Sequence, residues 1–315
     1  MPADTPRVDV LCAGHACFDM VFSVDRHPAP DEKTVASALT TCGGGPAANA
    51  AVGVARLGLR AAFAGCLGED LFGRQCLAEF RREGVDTGLT VTGEYPTPVS
   101  AILVKPDGKR TVVNHRGDTP NLARLPEDRG VPPARVLLMD GHQPEISLEL
   151  MERLPGAVTV LDAGSLHRGT RLLMGRVDHV VASQKFARQY SGEANDRRAL
   201  ARLAAVCPSV VVTLGEKGLA WEGKQTGGGR LEAFDVTAVD TTGAGDAFHA
   251  AFCVGIAREL PWDDLLRFSS AVGALACRRT GARPALPRLA QVVDFLRRHG
   301  PDGGLAKKLT APAPG

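Results

Sequence analysis

The chain has 315 residues, of which 44% are hydrophobic and 23% charged, and its formal net charge is only +2. This is the composition of an ordinary globular protein, with room for one large α/β domain or two small ones. The small net charge provides no basic surface for nucleic acid, and no apolar run approaches the roughly 20 residues that span a bilayer.

Cysteine and histidine usage gives no sign of disulfides or of a metal centre. The eight cysteines form no CxxC pair, most of them lie within apolar runs, and the eight histidines show no HxxxH or HExxH spacing. We therefore expect reduced thiols in the core of a cytoplasmic protein, and no dedicated metal cage.

Short apolar runs and helical segments alternate along most of the chain. Five runs are continuously apolar, which predicts buried parallel strands: VDVLCAG (8–14), RVLLMDG (135–141), VTVLDAG (158–164), DHVVAS (178–183) and SVVVTLG (209–215). Helices are expected after Pro46 up to Gly58, at 72–84, and at about 246–258, 262–279 and 287–298. This alternation predicts a doubly wound, mainly parallel sheet with helices on both faces.

Two segments break the alternation. Residues 100–115 hold two β runs around the turn Pro106-Asp107-Gly108-Lys109, which predicts a hairpin, and residues 18–41 show no helical pattern. We expect these pieces to form a small β lid, with strands from about 18–44 and 96–118, on one domain that covers 1–300. Residues 301–315 are rich in Pro and Gly and are expected to form a disordered tail.

Three glycine-rich stretches are candidate phosphate sites. The stretch GLAWEGKQ (218–225) is nearly a P-loop, but such a loop needs Ser or Thr after the lysine and a helix beyond it. Gln225 and a further β run follow instead, so we reject it. The stretch CGGGPAANAAV (42–52) opens a helix, and its backbone N–H groups could face a ligand. It would equally suit a tight loop that enters a packed helix.

The third stretch, DTTGAGDAFHAAF (240–252), places Gly243-Ala244-Gly245 at the start of an apolar helix. Backbone N–H groups and the helix dipole attract an anion at such a point. An acid there repels a phosphate, which makes sense if Asp246 accepts the proton of a hydroxyl that attacks a phosphoryl group. The alternative is that Asp246 is only a favourable acid in the first turn of a helix.

In the last two of these stretches the chain resembles the PfkB family of ribokinase-like carbohydrate kinases. Both family signatures are present, as GGGPAANAAVGVARLG and DTTGAGDAFHAAF, and the likeness extends over about residues 7–299. The resemblance implies a ribokinase-like α/β fold and an ATP-dependent kinase that uses Mg²⁺ and phosphorylates a sugar hydroxyl. The GGGPAAN loop is also similar to that of sulfofructose kinase-like members.

The resemblance also implies roles for individual residues. Asp246 matches the catalytic base, and Gly243, Ala244 and Gly245 match the anion hole. The residues that match sugar contacts are Asp19, Gly44, Gly45 and Asn49, and those on the nucleotide side are Thr213, Gly215 and Gly218. A monovalent-cation loop, with K⁺ as the expected ion, is implied at Asp240, Thr242, Ala276, Arg279 and Gly281.

The chain departs from the family pattern at two places. Many members carry Asn-x-x-Glu, whose glutamate orders water around Mg²⁺, whereas this chain has Ser183 and Phe186. Ketohexokinase-like and sulfofructose kinase-like members resemble it in this loss. Ala285 replaces serine at the last cation-loop position, which weakens the expectation of K⁺. We therefore assign no protein ligand to Mg²⁺.

The resemblance to sulfofructose kinase-like members implies a ketose substrate such as sulfofructose or fructose. Its polar or anionic far end would meet Asn114 and Arg116 on the lid and His142 after a strand, although these residues could equally be a solvated surface. A ribokinase-like or nucleoside kinase-like activity is the alternative, but aromatic residues that would cover a base are only 5% of the chain.

A sugar-binding regulator that has lost its activity is a further alternative. Such a protein should lack the base or the anion hole, and this chain keeps both. Exposed strand edges invite pairing, so we also expect a homodimer through the lid strands.

Overall fold

The computed structural model describes residues 8–299 and 304–311. In this part of the chain the strands are β1 Val8–Gly14, β2 Cys17–Ser23, β3 Ala38–Gly44, β4 Ala61–Gly68, β5 Asp86–Gly93, β6 Val99–Val104, β7 Arg110–His115, β8 Ala134–Met139, β9 Val158–Ala163, β10 His179–Ser183, β11 Ser209–Thr213, β12 Leu219–Gly223 and β13 Gly227–Leu231. The helices are α1 Pro46–Arg56, α2 Leu71–Arg82, α3 Pro144–Arg153, α4 Arg168–Leu173, α5 Gln184–Ser191, α6 Asp196–Ala204, α7 Ala244–Ala257, α8 Trp262–Ala276, α9 Ala282–Ala285, α10 Leu289–His299 and α11 Gly304–Thr310.

The larger sheet has nine strands in the order β13-β12-β11-β10-β9-β8-β1-β4-β5. The seven strands from β11 to β5 are parallel, and only β12 and β13 at one edge are antiparallel. The five strands expected from apolar runs all lie in the parallel part, which confirms the predicted doubly wound sheet. In a parallel sheet the carboxyl ends of the strands share one edge, where ligands bind in such folds.

Helices cover both faces of this sheet, and its central parallel strands are apolar on both sides. In β1, Val10 and Cys12 face the layer that contains α1, α7, α8 and α10. Leu11 and Ala13 of the same strand face the layer that contains α3, α4, α5 and α6. Side chains alternate across a strand, so a continuously apolar run signals burial on both faces.

Strands β4 and β5 were not predicted from the sequence. β4 reads AAFAGCLG, and all eight of its residues are buried between β1 and β5. Alanine and glycine have little intrinsic preference for strands, so propensity missed it. Close packing explains the composition, because a Cβ at Gly65 would overlap the carbonyl oxygen of Gly14.

The smaller sheet consists of the lid strands, in the order β3-β2-β6-β7. β2 pairs antiparallel with β3 and parallel with β6, and β6 and β7 form the antiparallel hairpin. Directly paired residues point to the same face, so Cys42, Asp19, Ser100 and Asn114 form one row across the sheet. Arg110 and Val112 of β7 share that face by alternation.

The expectation of a disordered tail was wrong for part of residues 301–315. Residues 304–310 form α11, whose Ala306 and Leu309 are buried against the core. Lys308 also pairs with Asp264 of α8 at 2.5 Å. Buried apolar contacts order this segment, which its Pro- and Gly-rich surroundings concealed. Residues 301–303 and 312–315 lie outside the described residues. Within the described ranges, the helices are too short or too polar to cross a membrane.

Candidate active site

Helix α7 starts at the carboxyl edge of the sheet with an open first turn. Gly243 precedes it with φ 74°, in the left-handed region that glycine adopts without strain, and a Cβ there would meet Ala282 at 2.7 Å. The N–H of Ala244 donates to Thr241 O over 3.3 Å, so it is used within the turn. The first N–H groups of a helix have no intrahelical partner, and those of Gly245 and Asp246 are left for a ligand. A Cβ at Gly245 would enter open space.

Asp246 lies in this first turn and is half-buried. Its Oδ2 accepts a hydrogen bond from Nδ2 of Asn49 over 2.7 Å. Burial raises the pKa of the Asp246 carboxyl above its usual range, while the Asn49 hydrogen bond and the nearby His249 oppose that rise. A carboxyl with a raised pKa at the open end of a helix is suited to accept a proton.

Asp19 lies on β2 and is 4% exposed. Its Oδ1 accepts from the Cys17 thiol over 3.2 Å. Burial raises the pKa of Asp19, and the charge of nearby Asp246 adds to the rise. Gly44 lies against this carboxylate, since a Cβ at Gly44 would overlap it. Gly45 has φ 94°, and a Cβ there would overlap His15 O. The glycines of this loop thus permit the close approach of β3, β2 and α1.

Asp140 at the end of β8 ties three segments together. Its Oδ2 accepts from the N–H groups of His15 and Ala47 over 2.8 and 3.1 Å, and its Oδ1 accepts from His142 N over 2.8 Å. The imidazole rings of His15, His142 and His167 form a row beside it, with centroid distances of 5.1 and 4.5 Å. We call these three residues the histidine row.

Burial and the neighbouring imidazole of His142 lower the pKa of His15 to about 4. The same causes lower the pKa of His167, and Arg116 of the lid contributes to both shifts. His15 and His167 are therefore largely uncharged at neutral pH, with Arg116 nearby. Arg116 also donates to Asn121 Oδ1. Asn114 lies on the same lid face as Asp19, through the row of paired residues described above.

The residues that are expected to contact the nucleotide lie at the carboxyl end of β11. Thr213 ends the strand and donates to Ala182 O over 3.3 Å, and Gly215 and Gly218 follow with φ 63° and 79°. A Cβ at Gly218 would overlap Leu231 O. Residues 219–223 form β12 and 227–231 form β13, with no helix between them in this described segment, so the rejection of the P-loop is confirmed.

The expected cation loop is held together by its own hydrogen bonds. Oδ1 of Asp240 accepts from the N–H and the hydroxyl of Thr242 over 2.8 and 2.6 Å, and Oδ2 accepts from Gly281 N over 2.8 Å. The carbonyl of Gly281 accepts from Ala285 N over 3.2 Å. Ala276 ends α8, and Arg279 lies in the turn between α8 and α9. Nothing in these contacts identifies an ion, and K⁺ stays a prediction.

The residues that replace Asn-x-x-Glu do not fit a magnesium site. The Ser183 hydroxyl caps α5 by accepting from Phe186 N over 3.0 Å, and it donates to Gly164 O over 2.9 Å. Phe186 is fully buried in the core. Among the described residues, no group of three or more His, Cys, Asp or Glu side chains is placed to hold a metal ion.

Several residues of the site were missed in the sequence. Arg110 of β7 donates to the Thr241 hydroxyl over 2.6 Å and so joins the lid to the loop before α7. His15 and His167 complete the histidine row around His142. Arg283, of α9, contacts Asn49 directly over 3.0 Å. No local pattern marks these side chains, because they come together only across the fold.

The model of the pfkB family of carbohydrate kinases matches residues 8–289. A ribokinase of Haemophilus influenzae is 28% identical over 304 residues, covering 92% of this chain and 99% of the relative. The probable fructokinase-3 of Arabidopsis thaliana is 30% identical, with 81% and 82% covered. An ATP-dependent ribose-1-phosphate kinase of Halopiger xanaduensis is 31% identical, with 92% and 98% covered.

Solved structures have the same architecture. A candidate ribokinase of Agrobacterium tumefaciens superposes with a TM-score of 0.85 at 26% identity, covering 93% of this chain and 99% of that one. A fructokinase of Xylella fastidiosa with bound ATP gives a TM-score of 0.75 at 26% identity, with 92% and 98% covered.

Proposed function

The chain belongs to the pfkB family of carbohydrate kinases, and on that premise we propose that it transfers the γ-phosphoryl group of ATP to a hydroxyl of a ketose such as fructose or sulfofructose. One observation carries the proposal above all. The carboxylate of Asp246 is oriented by Asn49 at 2.7 Å and lies in the same helical turn as the free N–H groups of a glycine-rich helix start. A base and an anion site thus adjoin each other.

In the proposed reaction Asp246 accepts the proton of the attacking sugar hydroxyl. Its raised pKa makes it a stronger base than an exposed aspartate. The N–H groups of Gly245 and Asp246 then receive the negative charge of the transferred phosphoryl group, assisted by the dipole of α7. No covalent intermediate with the protein is needed, because phosphoryl transfer depends on positioning and charge stabilisation.

The sugar would be held between the lid and the loop before α1. Asp19 accepts hydrogen bonds from hydroxyls, and Gly44 and Gly45 let the sugar approach the backbone of this loop. Asn49 follows at the start of α1. Arg110 closes the lid side of the site through its hydrogen bond to Thr241. A polyol requires paired acceptors and donors, and this set of side chains provides both.

The far end of the sugar would meet the histidine row, with Asn114 and Arg116 on the lid. A neutral imidazole has one donor and one acceptor, so His15 and His167 suit the hydroxyls of a hexose. Arg116 adds one fixed positive charge, which would favour an anionic group such as a sulfonate. A pentose such as ribose is shorter and would leave part of this polar set without a partner.

ATP is the proposed donor, in line with the relatives that are named ATP-dependent or contain ATP. Its nucleotide side would lie against Thr213, Gly215 and Gly218, at the same sheet edge as the start of α7. When bound, Mg²⁺ would neutralise phosphate charge, but the described residues suggest no protein ligand for it.

A homodimer through the lid is a further part of the proposal. Leu39 of β3 and Val113 of β7 lie on the lid face opposite Asp19 and are 56% and 64% exposed. β3 and β7 are also the two edges of the lid sheet, and an unpaired edge can add a strand. Sedimentation of the wild type and of Val113→Lys would test this, since a lysine should favour the monomer.

The function is tested by sugar-dependent release of ADP with fructose, sulfofructose, ribose and adenosine as acceptors. We expect the highest kcat/KM with a ketose. A tenfold preference for ribose or adenosine, equal to about 1.4 kcal/mol, would overturn the ketose assignment but not the kinase. If no acceptor stimulates ADP release although a sugar binds by calorimetry, the chain is a sugar-binding regulator. Asp246→Asn serves as the control for contaminating kinase activity.

A further inference from the structure

A buried arginine connects helices α1 and α2 beside the site. Arg283 of α9 is 0% exposed. Its Nε donates to Oδ1 of Asn49 over 3.0 Å, and its Nη1 pairs with Oε2 of Glu79 at 2.8 Å. The guanidinium lies over the ring of Phe80, with Cζ 4.7 Å from the ring centroid. Four groups are thus connected in sequence: Glu79, Arg283, Asn49 and Asp246.

The chemistry of this chain of contacts determines which way the Asn49 amide faces. A guanidinium is a donor only, so it must meet the amide oxygen of Asn49. The amide nitrogen is thereby directed at Asp246, whose ionised carboxylate only accepts. If the amide turned by half a rotation, its oxygen would face the carboxylate and its N–H₂ would face the guanidinium. Both contacts would then be repulsive.

We propose that Arg283 is a positioning residue, which holds the Asn49 amide so that its N–H₂ always points at Asp246. The proposal rests on the proposed function, in which Asp246 is the base. An oriented N–H donor stabilises the ionised carboxylate, which is the form that accepts a proton. Without Arg283 the amide is free to turn, and the base loses that support.

Arg283 also holds the glycine loop that borders the sugar site. Its Nη2 donates to Gly44 O over 3.4 Å, and Glu79 accepts from Gly43 N over 2.8 Å. A Cβ at Gly43 would overlap the guanidinium. One side chain thus fixes both the base and the loop beside Asp19, so its loss should affect kcat and KM together.

The test compares Arg283→Met and Arg283→Lys with the wild type. In Arg283→Met the acidic limb of the profile of kcat/KM against pH should move to higher pH by about one unit. The value of kcat should fall about tenfold, which corresponds to the loss of one hydrogen bond to a charged group. Lysine is also a donor only, so Arg283→Lys should restore the limb to near the wild-type pH. His249, Asp140 and Arg110 also face Asp246, and the charge of Arg283 lowers the pKa of Asp19. The shift of the limb is therefore assigned to Asp246 where the carboxyl NMR signal of Asp246 shows the same shift. A purely structural role would lower activity without moving the limb.

Arg129→Met is the matched control. Arg129 donates to the carbonyls of Gly88 and Thr90 in β5 over 2.8 and 2.6 Å. It has no described contact with Asn49, Asp246 or Arg283. Its loss should lower stability and leave the acidic limb in place. An equal shift of the limb in Arg129→Met would overturn the proposal, as would an unmoved limb in folded Arg283→Met.

Removal of Arg283 leaves the Glu79 charge without its partner, which can prevent folding. The double variant Glu79→Gln/Arg283→Met removes that charge and keeps an acceptor for Gly43 N. A second readout does not depend on turnover: ¹³C-carboxyl NMR, with the Asp246 signal assigned by its loss in Asp246→Asn. The Asp246 pKa should rise in the variant. If no sugar is phosphorylated but this rise occurs, the proposed function fails and the role of Arg283 holds.

Discussion

Nδ2 of Asn49 lies 2.7 Å from Oδ2 of Asp246, although 197 positions separate the two residues in the chain. Asn49 belongs to the first signature stretch and Asp246 to the last. The contact arises because α1 and α7 pack against the same face of the sheet and both begin near its carboxyl edge. The base and the residue that orients it therefore depend on the packing of two helices.

The first prediction concerns the base itself. Asp246→Asn keeps the size of the side chain and removes the proton acceptor, so kcat should fall by roughly 10²–10⁴-fold. Nucleotide binding, measured by calorimetry, should survive because the anion site is backbone. Asp263→Asn, at an acidic residue in the first turn of α8, is the control and should leave kcat nearly unchanged. A variant that keeps a tenth or more of the wild-type kcat would show that Asp246 is not the base.

The second prediction follows from the raised pKa of Asp246. The carboxyl must be ionised to accept a proton, so kcat/KM should fall as the pH drops through the raised pKa. This loss should begin at a higher pH than an ordinary aspartate with a pKa near 4 would give. A profile of kcat/KM from pH 4 to 8 measures it. A flat profile down to about pH 4 would contradict the burial argument.

The third prediction concerns the opening of α7. A Cβ at Gly245 meets no protein atom within 4 Å, so Gly245→Val should fold normally. The isopropyl group would occupy the space of the transferred phosphoryl group, so turnover should fall by at least about 100-fold, as for loss of an anion-hole donor. Gly156→Val, also in open space, is the matched control. Normal turnover in Gly245→Val would place the anion site elsewhere.

The fourth prediction concerns Arg110. Its hydrogen bond to Thr241 joins the lid to the anion loop, and its charge lowers the pKa of Asp246. Arg110→Gln should therefore raise KM for the sugar and lower kcat, together by about tenfold in kcat/KM. Steady-state kinetics check this. Lys109→Gln, on the same hairpin but paired with Asp107, should behave as the wild type.

The fifth prediction concerns stability at acid pH. The folded pKa of His15 is about 4, below the usual 6.5, so the unfolded chain binds an extra proton between these values. The contribution of His15 to the free energy of unfolding is fully present above pH 6.5. It decreases as the pH falls towards 4, by up to about 1.4 kcal/mol per pH unit. Urea unfolding at pH 7 and pH 5 measures the loss.

His15→Gln should reduce that pH dependence, and His27→Gln, at a half-buried histidine beside Thr111 of β7, serves as the control. An identical pH dependence in His15→Gln and the wild type would show that His15 is not the cause.

The sequence alone determined the fold class and the two signature stretches. Five continuously apolar runs identified the buried strands, because a strand with helices on both faces must be apolar on both sides. The glycines before α7 and the acid within its first turn identified the phosphate end of the site, since anion binding at a helix start needs only consecutive backbone groups. Local physics was sufficient for both.

The tertiary structure decided the rest. β4 was not predicted because its alanines and glycines are required by the close packing beside β1. α11 was not predicted because its order comes from the burial of Ala306 and Leu309. Arg283, Arg110 and the histidine row come from distant segments, and their roles depend on contacts that no spacing in the chain reveals. Burial and the partners of a side chain set its pKa and its orientation, and both are properties of the packed fold.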